Sequence, residues 1–537
     1  MDISEKIDIV YHTCDPSTTA QVPDAFLRSA GEFLSVQARQ KKVREALKKF
    51  NFNIEENAEP PVIAILASGG GLRAMVALLG VLVELAKEDI LDASTYICGT
   101  SGSTWCMSDL YNNDKWSSCM EEMERQMADR LVKPSWTWEK TKEKLKQTFS
   151  KEIYSLTSFW AYAFIYKITN EINEHTLSNH QASCESGENP YPIYPAVEKS
   201  YLNSFDKGAW FEFTPHLVGF PAYKAFVKTE LFGSQFKDGK LVKSHPERDL
   251  CYLQGLWGSA FADENSVKNV IKGKIQKLVT NAETKEPLTE DSLIQHIDES
   301  LDLEGTCSCD GCKELGSFFS SHDLDRITEA DIEKLFNDLE ELSHDCETVK
   351  LIRKILKCFV KWQWGTTNNY LYEWNSEIPD EVRKKEFLSL IDAGLEINTA
   401  YPLMLPPNRK VDLILSFDFS ESDPFMTLRN TAIYCKRNGI PFHEINIAET
   451  EVAEPSQSCY VFEGNSQGVP DVMHFPLFNN QTCEGKVHEL RKKYATFNFT
   501  YNDTELRALL EISKLNVKLN KDRILQHIKK LKCHSSA

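Results

Sequence analysis

The turn Gly99-Thr100-Ser101-Gly102-Ser103 constrains this chain most, because a strand-like run, Ser94 to Cys98, leads into it and a helix-compatible run, Thr104 to Tyr111, leaves it. Strand, tight turn and helix in succession are building material for an α/β fold. A serine on such a turn is held out of the core. Its hydroxyl lies near the positive end of the following helix, and small neighbours admit a substrate carbonyl. Ser101 therefore reads as an acyl-transfer residue. The pattern is G-x-S-x-S, not the stricter G-x-S-x-G, and the plain alternative is a turn serine capping a helix.

A second segment, Pro61 to Ala74, repeats the arrangement as a buried-type strand, a glycine turn and an apolar helix. Gly69-Gly70-Gly71 leaves backbone N–H groups uncovered at a helix N-terminus, where aligned peptide dipoles favour an anion. Acyl transfer passes through a tetrahedral oxyanion, which donors on Gly70 and Gly71 would stabilise. Losing one such donor typically costs roughly 2.7 to 4 kcal/mol of barrier. Gly69, Gly71 and Ala74 also satisfy a G-x-G-x-x-A dinucleotide fingerprint, with Asp92 near the acidic spacing. That fingerprint wants its acid at the end of the second strand, whereas Asp92 precedes the strand and Ser101 occupies its end. A phosphate loop fails outright, because no Lys-Ser or Lys-Thr follows the glycines.

A serine needs a base, and two acids follow apolar strand-like runs. Asp392 ends Phe387 to Ile391 and precedes Ala393-Gly394, which leaves room for another loop to approach its carboxylate. Asp418 sits between Phe417 and Phe419, and reads as a turn or capping acid after the strand Val411 to Phe417. A histidine relay stays open beside this reading: Ser101, Asp392 and His443 or His474 stand in the Ser, Asp, His order of an α/β-hydrolase triad. His474, among Val472, Met473, Phe475 and Pro476, reads as a hydrogen-bonded core residue.

Gly69-Gly70-Gly71-Leu72-Arg73-Ala74, Gly99-Thr100-Ser101-Gly102-Ser103-Thr104-Trp105 and Asp392-Ala393-Gly394 together resemble the cytosolic (group IV) phospholipase A2 family, whose wider relatives are patatin-like acyl hydrolases. Further strings, among them Trp210-Phe211-Glu212-Phe213-Thr214-Pro215 and Gly255-Leu256-Trp257-Gly258-Ser259-Ala260, extend the resemblance over about 60–262 and 360–500. The resemblance implies a serine and aspartate dyad in place of a triad. Ser101 is then the nucleophile, Asp392 its activator, Gly70 and Gly71 the oxyanion hole, and Arg73 the handler of the substrate phosphate. It implies no cofactor and no metal, and the histidines drop out of the chemistry. Most relatives begin with a calcium-dependent lipid-binding module, which the roughly 60 residues before the first catalytic strand cannot form. The chain therefore looks like the gamma, calcium-independent type. A prenylation signal of that type wants its cysteine fourth from the end, and Cys533 is fifth.

At 537 residues the chain can bury a large core. The fold expected is α/β, a three-layer domain with a central, mostly parallel sheet and a helical cap or insertion. Its parts are a polar segment with a basic helix over 1–60, catalytic sequence over 61–262, an acidic insertion and candidate lid over 263–360, more catalytic sequence over 361–505, and a basic C-terminal helix and tail over 506–537. Cys309 and Cys312 have half of a zinc-knuckle spacing with no matching second pair. Fifteen irregularly spaced cysteines fit free thiols in a reducing compartment, and no stretch reads as a signal peptide or bilayer span, so a cytoplasmic location is expected. A formal charge of −18 argues against nucleic acid. Residues 38–50 nevertheless hold six basic residues against one acid, and 514–532 hold seven against one. In the latter, Ile524, Leu525, Ile528 and Leu531 recur at helical spacing. Such a helix either lies on a glycerophospholipid membrane surface, peripheral to intracellular membranes, or docks on its own domain. No protein partner is inferable.

The activity expected is hydrolysis of a membrane glycerophospholipid's acyl ester through an acyl-enzyme. Lysophospholipase or transacylase chemistry is the alternative within the class, and an inactive lipid-binding scaffold the alternative outside it.

Overall fold

The computed structural model describes residues 29–259 and 363–535 apart from a few short stretches, together with Ile9–Tyr11 and scattered positions between 310 and 361. Most of the 263–360 insertion lies outside the described residues, including Cys309 and Cys312, and the expectations of lid and zinc lie there with it.

Aliphatic runs without a polar face make strands buried on both sides. β1 (Val62–Ala67) and β2 (Tyr96–Gly99) are of this kind, followed by β3 (Tyr191–Glu198), β4 (Trp210–Phe213), β5 (Leu217–Phe220) and β6 (Ala225–Lys228). After the insertion come β7 (Phe387–Asp392), β8 (Val411–Asp418) and β9 (Asp471–Pro476). The five central strands run parallel in the order β3-β2-β1-β8-β9. Antiparallel β4, β5 and β6 continue the sheet beyond β3, and the short strand Tyr460–Phe462 closes the other edge. The expected parallel centre is present, within a mixed sheet that has twelve strands among the described residues. Strands from both sides of the insertion interleave, so one sheet holds the whole catalytic sequence together.

Helices flank this sheet in three layers. They include α1 (Ala30–Lys49), α2 (Gly71–Lys87), α3 (Gly102–Leu110), α4 (Met426–Asn438), α5 (Val487–Lys493) and α6 (Asp503–Ile528). α2 is apolar nearly all round and is buried from Gly71 to Leu85, as a helix covered on every side must be. α6 packs along it.

The two basic segments do not stand free as membrane arms. Arg39 of α1 is buried and donates to the carbonyls of Leu91 and Ser94, at 2.8 and 3.0 Å, and of Gly187 and Glu188. α6 turns Leu506, Leu510, Val517, Ile524 and Ile528 inward. Its Lys514 pairs with Glu124 at 2.6 Å and its Lys521 with Glu88. Of the two readings of the C-terminal helix, docking on its own domain is the one observed.

Candidate active site

In an open parallel sheet, ligands meet the carboxyl ends of the strands where the chain order reverses. Here that point lies between β1 and β8, since the chain goes from β1 to β2 on one side and returns to β8 on the other. The glycine loop leaves β1 there, and Ser101 follows β2. Ser101 has φ +52° and ψ −124°, a conformation that costs a non-glycine residue on the order of 1–3 kcal/mol. It caps α3 by position, yet its side chain makes no capping hydrogen bond, which disposes of the plain helix-cap reading. Ser101 is 6% exposed.

Asp392 reaches the same place by a longer route. The first half of β3 pairs with β2, Cys98 opposite Ile193, and β2 then ends. Three residues farther on, about 10 Å along the strand, that vacated side of β3 is taken up by β7 running the other way, with Asp392 opposite Ala196. The C-terminal end of β7 therefore points back toward the turn that carries Ser101. The buried Asp392 carboxylate accepts the Gly394 N–H at 2.8 Å, and its own N–H donates to Ser259 Oγ at 3.1 Å.

A cleft of about 1000 Å³ opens over these strand ends, lined by Ser101, Asp392, Gly69, Gly70, Arg73 and Asn398 among others. Four of the five expected site residues thus share one surface. Gly71 is not on the cleft wall. Its backbone lies so close to Gly102 that a Cβ on Gly102 would overlap the Gly71 carbonyl, and this contact locks the glycine loop onto the serine turn. Among the described residues, the N–H groups of Gly70 and Gly71 make no hydrogen bond.

Arg73 lies under the loop. A Cβ on Gly70 would sit 2.7 Å from Arg73 Nη2. The guanidinium is buried and donates to the Phe419 carbonyl at 2.7 Å, to Thr496 Oγ1 at 3.1 Å and to the Tyr494 carbonyl, with Glu421 3.9 Å away. Burial pulls its pKa down, and Tyr501, Glu421 and Asp418 pull the other way. Arg73 is therefore a strap between the loop after β8 and the segment after α5, as well as a charge in the cleft.

Asp418 ends β8 in the manner of Asp392, with the Ser420 N–H on its carboxylate at 2.9 Å, but it does not line the cleft. Burial pushes its pKa up to about 7, against the pull of the Ser420 hydrogen bonds and of Arg73 and Arg491. The turn-acid reading of Asp418 is the one observed. The histidines of the alternative triad are elsewhere as well. His474 is buried, donates from Nε2 to the Pro424 carbonyl at 2.8 Å and faces Ser416 Oγ at 3.1 Å through Nδ1. His443 donates from Nε2 to the Pro470 carbonyl at 2.8 Å. Neither lines the cleft. Asp92 of the dinucleotide reading pairs with Lys42 of α1 at 3.4 Å, ahead of β2.

Three residues of the site escaped the sequence. Asn398 clamps the glycine loop: both its main-chain and side-chain oxygens accept the Gly69 N–H at 3.1 Å, and its Nδ2 donates to Ser420 Oγ at 3.1 Å. Ser68 Oγ accepts the Phe419 N–H at 2.7 Å, while its carbonyl accepts Ser103 Oγ at 2.7 Å, so Ser103 ties the two turns together. His488 is the exposed histidine on the cleft wall. Asn398 lies six residues past Asp392 in an unremarkable stretch, and only the meeting of loops gives it a role.

A model of the lysophospholipase catalytic domain matches residues 63–475. The chain is 40% identical over 515 residues to human cytosolic phospholipase A2 gamma, covering 93% of this chain and 94% of that one. It is 38% identical over 549 residues to the mouse protein of the same name, covering 93% and 91%. The chain belongs to the cytosolic phospholipase A2 family. Its fold agrees: human GIVD cytosolic phospholipase A2 superposes with a TM-score of 0.69 at 25% identity, over 98% of this chain and 68% of that one. The same relative has been solved with methyl gamma-linolenyl fluorophosphonate, with a TM-score of 0.66. As a member of this family the chain is a hydrolase of phospholipids. Among the described residues no helix is long and apolar enough to cross a membrane, and no three metal-ligating side chains converge.

Proposed function

We propose that this phospholipase A2 cleaves the acyl ester of membrane glycerophospholipids through a Ser101–Asp392 dyad, without calcium. The reading rests on one observation above the rest. Ser101, strained out of its helix cap, shares a cleft with the buried carboxylate of Asp392 and the donor-bearing glycine loop.

Ser101 Oγ attacks the ester carbonyl carbon while Asp392 accepts its proton. The carbonyl electron pair moves onto oxygen, where the N–H groups of Gly70 and Gly71 receive it at the start of α2. The C–O bond to glycerol then breaks, and Asp392 returns its proton to the departing lysophospholipid. Water repeats the attack on the acyl-enzyme, Asp392 again taking a proton, and the fatty acid leaves as Ser101 is restored. Arg73 brings a fixed positive charge toward the substrate phosphate. Its remaining N–H groups, beyond those held by Phe419, Tyr494 and Thr496, serve that contact.

Access from a membrane agrees with what surrounds the cleft. Met426 and Asn430 of α4 line it, and Ile433 continues the same helical face one turn farther on. Met426 is 50% exposed, Ile433 49%, and Phe497, next to the cleft residue Thr496, 45%. Lys492 and Lys493 are exposed beside them on α5. Apolar tips among cations at the mouth of a lipid-cleaving cleft suit a peripheral enzyme on intracellular membranes. The matched lysophospholipase domain favours one further reading, in which monoacyl substrates enter the same cleft.

A fluorophosphonate probe tests the dyad. Stoichiometric labelling is expected in the wild type and none in Ser101→Ala. Asp392→Asn should slow labelling by about 10²-fold or more. Labelling and turnover should be unchanged in excess chelator. A Ser101→Ala protein that still labels would remove the nucleophile, a chelator-sensitive enzyme would remove calcium independence, and a wild type that never labels would favour the inactive scaffold.

A further inference from the structure

One wall of the catalytic cleft is basic beyond Arg73. His488, Arg491 and Lys492 of α5 all line it, and their i, i+3, i+4 spacing makes them a single face of that helix. This wall adjoins Arg73, whose guanidinium donates to the Tyr494 carbonyl and to Thr496 Oγ1 in the segment that leaves α5. Arg491 stands about one turn earlier. Arg73 and Arg491 both act on the buried Asp418 carboxylate, so the two guanidinia have a common neighbour. Exposure rises along the series, from 1% at Arg73 and 8% at Arg491 to a solvent-exposed Lys492.

The acids of the cleft have partners of their own. Glu396 accepts the Phe205 N–H at 2.6 Å, and Asp423 accepts the Phe425 N–H at 2.9 Å and pairs with Arg429. Glu421 accepts the Thr496 N–H at 2.7 Å and stands 3.9 Å from Arg73. His488 has Glu454 at 3.9 Å. Among the described residues, Arg491 and Lys492 make no ion pair. The Arg491 guanidinium is fixed by the carbonyls of Val452 and Ala453, the latter at 2.8 Å from Nη1, and its buried Nε–H has no acceptor among the described residues. Burial pulls the Arg491 pKa down, and Asp418, Cys483 and Glu454 raise it from a distance.

We propose that α5 reads the lipid head group, Arg491 and Lys492 attracting a phosphate monoester and repelling the quaternary ammonium of choline. With Arg73 on the substrate phosphate, the role proposed for it above, the two α5 cations stand beside that phosphate and toward the mouth. A phosphate monoester carries about −1.5 to −2 charges near neutrality and three acceptor oxygens, one more than a diester leaves free. Arg73 cannot satisfy them alone, since Phe419, Tyr494 and Thr496 already hold three of its N–H groups. Lys492 brings three donors on a flexible stem. Choline instead places an ammonium one ethyl group past the phosphate, among these cations, where like charges repel. The preferred substrate is thus a glycerophospholipid of phosphatidate type, or its monoacyl counterpart.

Hydrolysis of short-chain phosphatidate and phosphatidylcholine, both kept as dissolved monomers, provides the test, because no bilayer is present to concentrate either lipid. The ratio kcat/KM should favour phosphatidate by about tenfold or more, with the difference carried by KM. A neohexyl ester, in which carbon replaces the choline nitrogen, should fall between the two. Lys492→Glu, a change at an exposed position, should narrow the preference several-fold, and Arg491→Gln by about tenfold. Equal kcat/KM on phosphatidate and phosphatidylcholine, a preference that Lys492→Glu leaves intact, or one that appears only on vesicles would overturn the proposal. A neohexyl ester as poor as the choline ester would assign the preference to size and overturn it too. Titration of the Ser101→Ala protein with the same monomers should give the same order of affinities without turnover. That order decides the head-group preference even where fluorophosphonate labelling removes Ser101 as the nucleophile, so the two readings fail separately.

Discussion

Asp392 and Asp418 each end a strand and each accept the N–H two residues on, yet the residues around them assign different roles. Asp392 faces the cleft with Ser101. Asp418 lies behind it, held up to about pH 7 by burial, and serves as a neutral or charged turn acid under Arg73. The same sorting applies to the histidines. Burial lowers the pKa of His474 from 6.5 to about 4, so it is neutral in the fold and ready to charge in the unfolded chain. A depressed folded pKa means stability that is present above pH 6.5 and lost as pH falls from there toward 4. His474→Gln should therefore be less stable at pH 7.5, having lost two hydrogen bonds, but should lose stability less steeply between pH 6.5 and 4. Thermal unfolding across that range measures both. Turnover per folded molecule should stay within about threefold of wild type, where removal of a general base would cost about 10² or more. A large loss in correctly folded His474→Gln would restore the triad.

At the scale of elements, the site is an agreement between two strand-to-helix turns. α2 begins at the glycine loop and α3 at Ser101, and their first residues touch where Gly102 meets Gly71. Backbone stands on both sides of that contact, so it cannot yield as a flexible side chain would. Gly102→Ala should lower stability by about 1–3 kcal/mol and, on the proposed mechanism, slow fluorophosphonate labelling, because the added methyl pushes the glycine loop away from Ser101. Wild-type labelling in this variant would mean that the loop is not held by the serine turn. Both turns were legible in sequence, since each strand, turn and helix is local. Elements were placed to within a few residues, β2 starting at Tyr96 where Ser94 was expected. The antiparallel approach of β7 to the far half of β3 was not legible, because it joins residues nearly 200 positions apart. Asn398 was invisible for the same reason: an asparagine acquires its function only when the Gly69 loop arrives.

Across the whole molecule, charge and amphipathicity mislead where local position decides. The basic C-terminal helix has the composition of a membrane arm, yet its apolar stripe rests against the domain and its lysines find the domain's own acids. Ile524→Ala should cost about 2–5 kcal/mol and lower vesicle and soluble-ester hydrolysis together, in step with the folded fraction. Phe497→Glu and Ile433→Glu, on the exposed rim of the cleft, should weaken vesicle binding while soluble-ester hydrolysis persists. Vesicle sedimentation alongside a chromogenic ester assay separates the two cases. Parallel losses in the rim variants would move the membrane contact elsewhere.

The sequence by itself determined the serine turn, the glycine loop and the strand-end acid, because each is a short run whose geometry follows from its own residues. It also narrowed the base to a few candidates by their neighbours. Only the tertiary structure decided that Asp392 and not Asp418 shares the cleft with Ser101, that His443 and His474 lie away from it, what Arg73 holds, and that the basic helix turns inward. Those are contacts between distant segments, and their energies exist only once burial has removed water from both partners.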